Sequence, residues 1–531
     1  MFIKEGFIKA LQCKTICNHS RSSLSLFNKI RLKGMYVMYK QLAILKIFAM
    51  TLLMLFTTCN DVVFANSEDV TDKALDISAI DAFMAKEIDR LNIPGASLAI
   101  VKKDQVAYLQ GYGVSSPDGT QMTPQTPIVI GSVSKSFTAL AIMQLVEQGK
   151  IHLDDLVYVV LPGFQLANKE QSNKITIQHL LNQTSGLSTY DGQVAISHGD
   201  KTLKEHVQSL KNINVSSPVG EHYEYSNLNY SILGAVIEQV TNTPYKEYMK
   251  EFIFKPLEMN NSYADPKDDI NNTIAHGYQT VFGIKVPTEQ LIHDGTVPSG
   301  YIISSAEDMA NYMVAQLNEG HFNGKNILSA NAMNVLHQPS SRVAHDTYYA
   351  MGWEVTNDAI SHNGWTENTY SKVLLDGDYG INLQINAMDY FNLNEYDAIV
   401  SDLNKLVHHE QPSNTKSNPF MKYIIFDLIF VLIIVLITRS IYIIFKHNNH
   451  KTSIFRTVVN WFSLIVFNFL IPLFILIGFP QLFGPLSTVT LFAPGIGHLL
   501  FIIPLLLLMV GVILFGKLLL KKPNADVNAL P

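Results

Sequence analysis

Ser132 and Lys135 stand three residues apart in the run Gly131-Ser132-Val133-Ser134-Lys135. Residues at i and i+3 share one face of a helix, so the amine of Lys135 reaches the hydroxyl of Ser132. A serine hydroxyl is a weak nucleophile at neutral pH, and a base beside it makes attack on a carbonyl feasible. A helix starting here also presents unpaired N–H groups in its first turn, which favour negative charge developing nearby. The same spacing equally describes a capping serine followed by a solvated lysine, so the surroundings must decide. They favour the chemical reading. An apolar strand-like run, Pro127-Ile128-Val129-Ile130, precedes the turn, and Phe137, Leu140, Met143 and Leu145 follow at helical spacing. A helix buried on that stripe holds Ser132 rigidly.

Two further polar groups lie downstream: Tyr225-Ser226-Asn227, and His362-Asn363-Gly364 at the end of an apparent strand. Alone, Tyr225 reads as a core or surface aromatic, Asn227 as a cap for a helix at Leu228, and His362 as a polar strand-end residue. Elements that could position them are visible in the pattern. A helix is expected over 78–92, and two strands over 95–113 turning at Lys102-Lys103-Asp104. Helices follow at 228–241 and 245–252. Strands are expected at 349–355, 359–362, 371–375 and 381–387, the last two joined at Asp376-Gly377-Asp378, and a final helix at 396–408. This order predicts one α+β domain whose N- and C-terminal parts jointly form the sheet around a mainly helical insertion.

The chain has 531 residues, 47% of them hydrophobic, and a net charge of −6. That length accommodates one large domain and an additional module. No basic stripe accompanies exposed aromatics, so no nucleic-acid partner is expected. The seventeen histidines form no H-E-x-x-H pair, and no phosphate-cradling G-x-x-x-x-G-K-[ST] segment is present; neither metal nor cofactor is expected. Cys13, Cys17 and Cys59 all fall in the first 60 residues, so disulfides do not staple the large domain.

Residues 39–65 read as an export signal, with Lys40 and Lys46 leading an apolar core at 47–56 and Val63-Phe64-Ala65 offering a cleavage site. The alternatives are an uncleaved anchor or, last, lipid attachment at Thr57-Thr58-Cys59. Residues 1–34 fit no part of a signal, leaving Met35 or Met38 as the expected start. Past a polar tether at 411–422, the stretches 423–445, 458–479 and 499–520 each supply the ~20 apolar residues that cross a bilayer. Lys446, Lys451 and Arg456 in one loop, and Lys521 and Lys522 in the tail, place both on the cytoplasmic side by the positive-inside tendency. The segment 480–497 has no charge and suits the outer side. Asp427 and Arg439 lie near the ends of the first span, where snorkelling explains them, and Pro472 and Pro504 are expected kinks. The expected layout is a presequence and signal at 1–65, a hydrolase domain at 66–410, the tether, spans within 423–520, and a tail at 521–531.

The three motifs in this order resemble the serine β-lactamases and penicillin-binding proteins, specifically the branch of class C enzymes, D-alanyl-D-alanine carboxypeptidases, related esterases and D-amino-acid-specific peptidases. The resemblance runs over about 78–408. It includes the stretch His179-Leu180-Leu181-Asn182-Gln183-Thr184-Ser185-Gly186-Leu187, together with Pro298-Ser299-Gly300 and Met351-Gly352-Trp353. It implies a β-lactamase/transpeptidase-like domain, an antiparallel sheet flanked by helices with a mainly helical subdomain, followed by three transmembrane helices. It also implies an acyl-enzyme on Ser132, with Lys135 accepting or relaying the proton. Tyr225 would act as base and then donor, with Lys135 as the cationic neighbour lowering its pKa. Asn227 would bond Lys135 or a substrate amide, and the N–H groups of Ser132 and of Trp365, after Gly364, would form the oxyanion hole. His179 would be structural.

Two departures matter. His362 stands where lysine is common and is mostly neutral at pH 7, which weakens recognition of a substrate carboxylate. Trp365-Thr366-Glu367 replaces small residues, which argues against penicillin hydrolysis. The expectation is an extracytoplasmic serine hydrolase of a bacterial membrane, cleaving a small peptide, amide or ester next to a D-amino acid. Candidate substrates are cell-wall stem peptide or, because the three spans resemble those of prodrug-activating peptidases, a nonribosomal peptide prodrug. The alternatives are an esterase or β-lactamase of the same family, or a penicillin-binding sensor without turnover, which an eleven-residue inward tail disfavours. A transporter is disfavoured by the absence of internal repeats.

Overall fold

The computed structural model describes residues 74–196, 201–269, 273–291, 293–413, 416–445 and 454–520. The expected export signal, the three cysteines, Lys446, Lys451 and the tail lie outside them. Contacts divide the chain into two compact units. The larger holds Val70–Arg439 and Pro472–Leu506, and the described part of the smaller falls in Ser440–Ile471 and Leu507–Pro531.

In the larger unit, helix α1 (Ile77–Leu91) begins where the Asp76 carboxylate accepts the Ala79 N–H at 3.0 Å, and ends at Asn92 in the left-handed conformation. Strands β1 (Gly95–Lys102) and β2 (Gln105–Gly113) then form a hairpin turning at Lys103, also left-handed. The sheet is completed by six strands from the C-terminal half: β3 (Ser341–Ala344), β4 (Thr347–Ala350), β5 (Trp353–Val355), β6 (Ile360–Trp365), β7 (Tyr370–Asp376) and β8 (Tyr379–Ile385). Its order is β2-β1-β8-β7-β6-β5-β4-β3, antiparallel throughout. Ala96 opposes Ile385 and Lys102 opposes Tyr379, so the two chain halves meet at β1 and β8 as expected.

Alternation along β1 explains the layers. Leu98 and Ile100 pack with Ile381, Leu383, Met84 and, from helix α4 (Leu393–Val407), Ile399. Ala99 and Val101 face the opposite core, with Phe137, Tyr312 and Trp353. Because β1 is covered on both faces, it reads as a continuous apolar run rather than an alternating one. Each such side chain contributes about 1.5–3 kcal/mol on burial. The mainly helical part lies between β2 and β3 in sequence. It includes α2 (Ser134–Glu147) and α3 (Asn227–Thr241).

The expected single strand at 349–355 is two. Gly352 has φ +83, and a Cβ there would lie 2.8 Å from the Lys135 carbonyl oxygen. Contact with α2 therefore breaks the run at Met351-Gly352 into β4 and β5. The tether is also more anchored than its polar composition suggested. Lys416 pairs with Glu87 at 2.8 Å and Asp402 at 3.2 Å, and Lys422 donates to the Phe391 carbonyl at 2.6 Å.

Among the described residues, three helices are long and apolar enough to cross a membrane: Phe420–Tyr442, Thr457–Leu482 and Ile496–Leu519. Around Pro472, which cannot donate, the second widens into π-helical turns at Val466–Leu470 and Phe474–Gly478. Within the smaller unit, Asn468 Nδ2 donates to the Leu507 carbonyl at 3.0 Å, and Trp461 meets Phe515 edge to face. Pro504 lies inside the third helix.

Candidate active site

The turn entering α2 is built by close backbone approach. Gly131 has φ +55, and a Cβ on it would sit 2.2 Å from the Trp365 nitrogen; one on Gly364 would sit 2.0 Å from the Ile130 oxygen and 2.7 Å from the Ser132 nitrogen. Only glycine fits either position, and both together let the main chain at Ser132 and at Trp365 approach closely. Side chains from β7 and the loop before it fasten this turn. Ser371 Oγ donates to the Ile130 carbonyl at 2.6 Å and Thr369 Oγ1 to the Val129 carbonyl at 2.7 Å. Ser134 Oγ donates to the Gly131 carbonyl at 2.6 Å and accepts from Ile302 N–H at 3.0 Å.

Lys135 is fully buried, and its Nζ lies 3.0 Å from Ser132 Oγ. It reaches Asn227 Oδ1 at 2.7 Å and the Ser299 carbonyl at 2.5 Å. No carboxylate is among these neighbours. Burial therefore pulls the Lys135 pKa well below its ordinary value and favours the neutral amine. A neutral amine donates twice, to Asn227 and Ser299, and keeps its lone pair for the Ser132 hydroxyl proton.

Tyr225 hydrogen-bonds Ser132 through its hydroxyl, and its ring lies 4.7 Å from Lys135 Nζ. Burial, the largest influence, raises its pKa well above 10, outweighing the lowering from its hydrogen bond with Ser132. The expected lowering by a Lys135 charge is thus absent. Burial disfavours charge on both partners, leaving an amine to accept and a phenol to donate.

The loop carrying Tyr225 is held by the 179–187 stretch. Gln183 Oε1 accepts from Ser226 N–H at 3.0 Å and Asn229 Nδ2 at 2.5 Å, while Thr189 Oγ1 donates to the Tyr225 carbonyl at 2.6 Å. Asn227 is the first residue of α3, with its oxygen committed to Lys135 rather than to capping. His179 forms a reciprocal capping pair with Thr176, a structural role.

His362, on β6, is buried between Tyr225 and Tyr349, with Tyr349 Oη 3.3 Å from Nε2. Burial, the largest influence, lowers its pKa to about 3, so it offers no positive charge to a substrate. Ser132, Tyr225, Asn227, His362 and Trp365 all border one cleft of about 290 Å³. Among the described residues its lining contains no lysine or arginine, and Glu354 is the one acidic residue there.

Sequence reasoning missed Glu354, the Ser299 carbonyl, Thr488 and Phe492. The Pro298-Ser299-Gly300 run was visible, but a main-chain carbonyl carries no residue-type signal. Glu354 adjoins the noted Met351-Gly352-Trp353 run. Thr488 and Phe492 lie in a stretch whose only visible property was its lack of charge.

Comparison with known proteins identifies related chains. Protein flp of Staphylococcus aureus strain MW2 is 30% identical over 347 residues, covering 64% of this chain and 68% of its own. Penicillin-binding protein 4 of Amycolatopsis lactamdurans is 27% identical over 267 residues, covering 49% and 70% respectively. The octameric penicillin-binding protein homologue from Pyrococcus abyssi shares the fold, with a TM-score of 0.55, 24% identity, and coverage of 64% of this chain and 79% of that one. Residues 78–400 match Beta-lactamase, and the chain belongs to that family.

Proposed function

We propose that this chain is a membrane-anchored, extracytoplasmic serine hydrolase that forms an acyl-enzyme on Ser132 and cleaves an amide next to a D-amino acid. The observation carrying this reading is the 3.0 Å contact between Ser132 Oγ and an amine whose burial favours its unprotonated form. Ser132 Oγ bonds to the carbonyl carbon while its proton passes to Lys135 Nζ. The carbonyl oxygen takes the negative charge beside the N–H groups of Ser132 and Trp365. Collapse breaks the bond to the leaving nitrogen, which receives a proton from Tyr225, itself resupplied from Lys135. Water then attacks the ester along the same route and frees Ser132.

The substrate follows from the cleft. With His362 neutral and no cation on the lining, a free carboxylate beside the scissile bond finds no counter-charge. This favours uncharged or amine-bearing amides over penicillins and carboxy-terminal D-Ala-D-Ala. An acylated peptide prodrug fits better than cell-wall stem peptide. The lysines flanking the spans and the charge-free 480–497 segment support the outer placement.

The test incubates the full chain and Ser132→Ala with N-acyl-D-Asn amides, D-Ala-D-Ala peptides, p-nitrophenyl esters and a fluorescent penicillin. Amide turnover exceeding that of carboxylate-bearing peptides, abolished in Ser132→Ala, is the expected result. Ester turnover alone replaces the peptidase with an esterase, and stable penicillin labelling without turnover replaces it with a sensor. Activity retained by Ser132→Ala overturns the mechanism.

A further inference from the structure

The segment joining the second and third spans belongs to the larger unit and reaches the cleft. Its short helix, Leu486–Phe492, places Thr488 and Phe492 on the lining that also includes Ser132 and Trp365. The Phe492 and Trp365 rings meet edge to face, 5.0 Å between centroids and 86° between planes. Phe492 is only 3% exposed, so it is part of a packed wall rather than a loose loop. Further contacts fasten the segment along its length. Gln279 Nε2 donates to the Leu491 carbonyl at 2.6 Å, and Thr488 Oγ1 lies 3.5 Å from the Gln193 carbonyl. A Cβ on Gly484 would meet Gln193 Oε1 at 2.5 Å, and one on Gly495 would meet the Phe282 ring at 2.8 Å.

Resting on the acyl-enzyme reading above, we infer that the inter-span segment selects the substrate. Phe492 closes the acyl side of the cleft against Trp365 and admits only a compact, uncharged group there. Trp365 is the key to the direction of this argument. Its main-chain nitrogen lies against the Gly131 turn that carries Ser132, while its ring faces Phe492, so whatever fills the space against these rings adjoins the carbonyl under attack. The wall carries no charge between 480 and 497, and an aromatic pair recovers free energy from apolar groups but none from a desolvated ion. About 290 Å³ is at the lower end of small-molecule sites, enough for a residue-sized group and too little for an extended chain. The segment between the spans is thus part of the catalytic unit, and removing the spans removes a wall of the site.

The test uses the full chain in detergent and compares p-nitrophenyl acetate, phenylacetate and octanoate. Wild type is expected to favour the two compact esters. Phe492→Ala is expected to raise the octanoate-to-acetate ratio of kcat/KM at least fivefold, and Phe492→Leu is expected to fall between. A ratio is independent of how much protein is correctly folded, so poor folding of the variant does not mimic the effect. A second readout needs no turnover: a bimane fluorophore on Phe492→Cys is expected to be quenched by the nearby indole and to brighten when Trp365→Leu is added. An unchanged ratio, or an unquenched fluorophore, overturns the selecting wall while leaving the hydrolase intact. Quenching without hydrolysis of any ester or amide overturns the hydrolase instead, and with it this role for the wall.

Discussion

Two buried lysines in the same unit are shifted in opposite directions. Lys285 sits behind the sheet, 3.2 Å from the Asp389 carboxylate and 3.1 Å from the Tyr396 hydroxyl. Burial pulls its pKa down, but Tyr396 and Asp389 more than offset this, so the net shift is upward and the ammonium is retained. Lys135 is buried at least as completely and has only an amide oxygen, a main-chain carbonyl and a serine hydroxyl around it. Its shift is downward. Burial alone therefore does not make a lysine a base; the missing counter-charge does. The first lysine is part of the frame, and the second is poised to accept a proton.

Substitutions that treat the two lysines alike should separate them sharply. Lys135→Arg installs a fixed positive charge that cannot accept the Ser132 proton, and kcat/KM for the best ester is expected to fall about 10⁴-fold with little change in KM. A variant retaining a tenth of wild-type activity removes Lys135 as acceptor. Tyr225→Phe keeps the ring over the amine while deleting the hydroxyl. A fall of about 10³-fold is expected for amides and a smaller one for p-nitrophenyl esters, whose leaving group needs no proton. Equal losses on both substrates would contradict the donor role. Lys285→Met, by contrast, leaves Asp389 buried beside Tyr396 without its cation. It is expected to cost about 3 kcal/mol, roughly a hundredfold in the unfolding equilibrium, seen as a lowered Tm. Turnover per folded molecule is expected to stay at the wild-type level, and a selective loss of turnover would tie the two sites together.

How much of this the chain revealed before its structure depends on the range of each interaction. Ser132 and Lys135 are joined by helical spacing, and the Asp376-Gly377-Asp378 turn by local backbone preference, so both were legible. The joining of β1 to β8 was legible because the strand-rich ends flank a helical middle. The break at Gly352 was not, because it is imposed by α2, more than two hundred residues earlier. Nor was the fastening of Lys416, whose partners Glu87 and Asp402 come from opposite ends of the domain. The directions in which Lys135 and Tyr225 are shifted were hidden for a related reason. Sequence supplies the pair, but only the folded surroundings show that burial dominates both and that no carboxylate is among the hydrogen-bond partners of Lys135. Phe492 was hidden because an apolar residue between two spans has the same appearance whether it faces lipid, solvent or a catalytic cleft.

His362 extends the same comparison to acid, with the smallest effect. Its folded pKa of about 3 lies below the ordinary 6.5, so between those values the unfolded chain binds a proton that the folded chain does not. Stability then rises with pH in that window and is lost as pH falls through it, with no further loss below about 3. From pH 7 to pH 5 this one group accounts for about 2 kcal/mol, roughly thirtyfold in the unfolding equilibrium. Wild type is therefore expected to lose that much more stability over this interval than His362→Gln, measured as the difference in their Tm changes. Lys285 works in the other direction: its raised pKa keeps its stabilisation intact throughout this range, and that contribution fades only in alkali. If His362→Gln and wild type lose stability equally, the imidazole titrates in the folded cleft as it does in the unfolded chain. It would then supply, below about pH 6.5, the positive charge that a substrate carboxylate needs, and the preference for uncharged or amine-bearing substrates would weaken in acid.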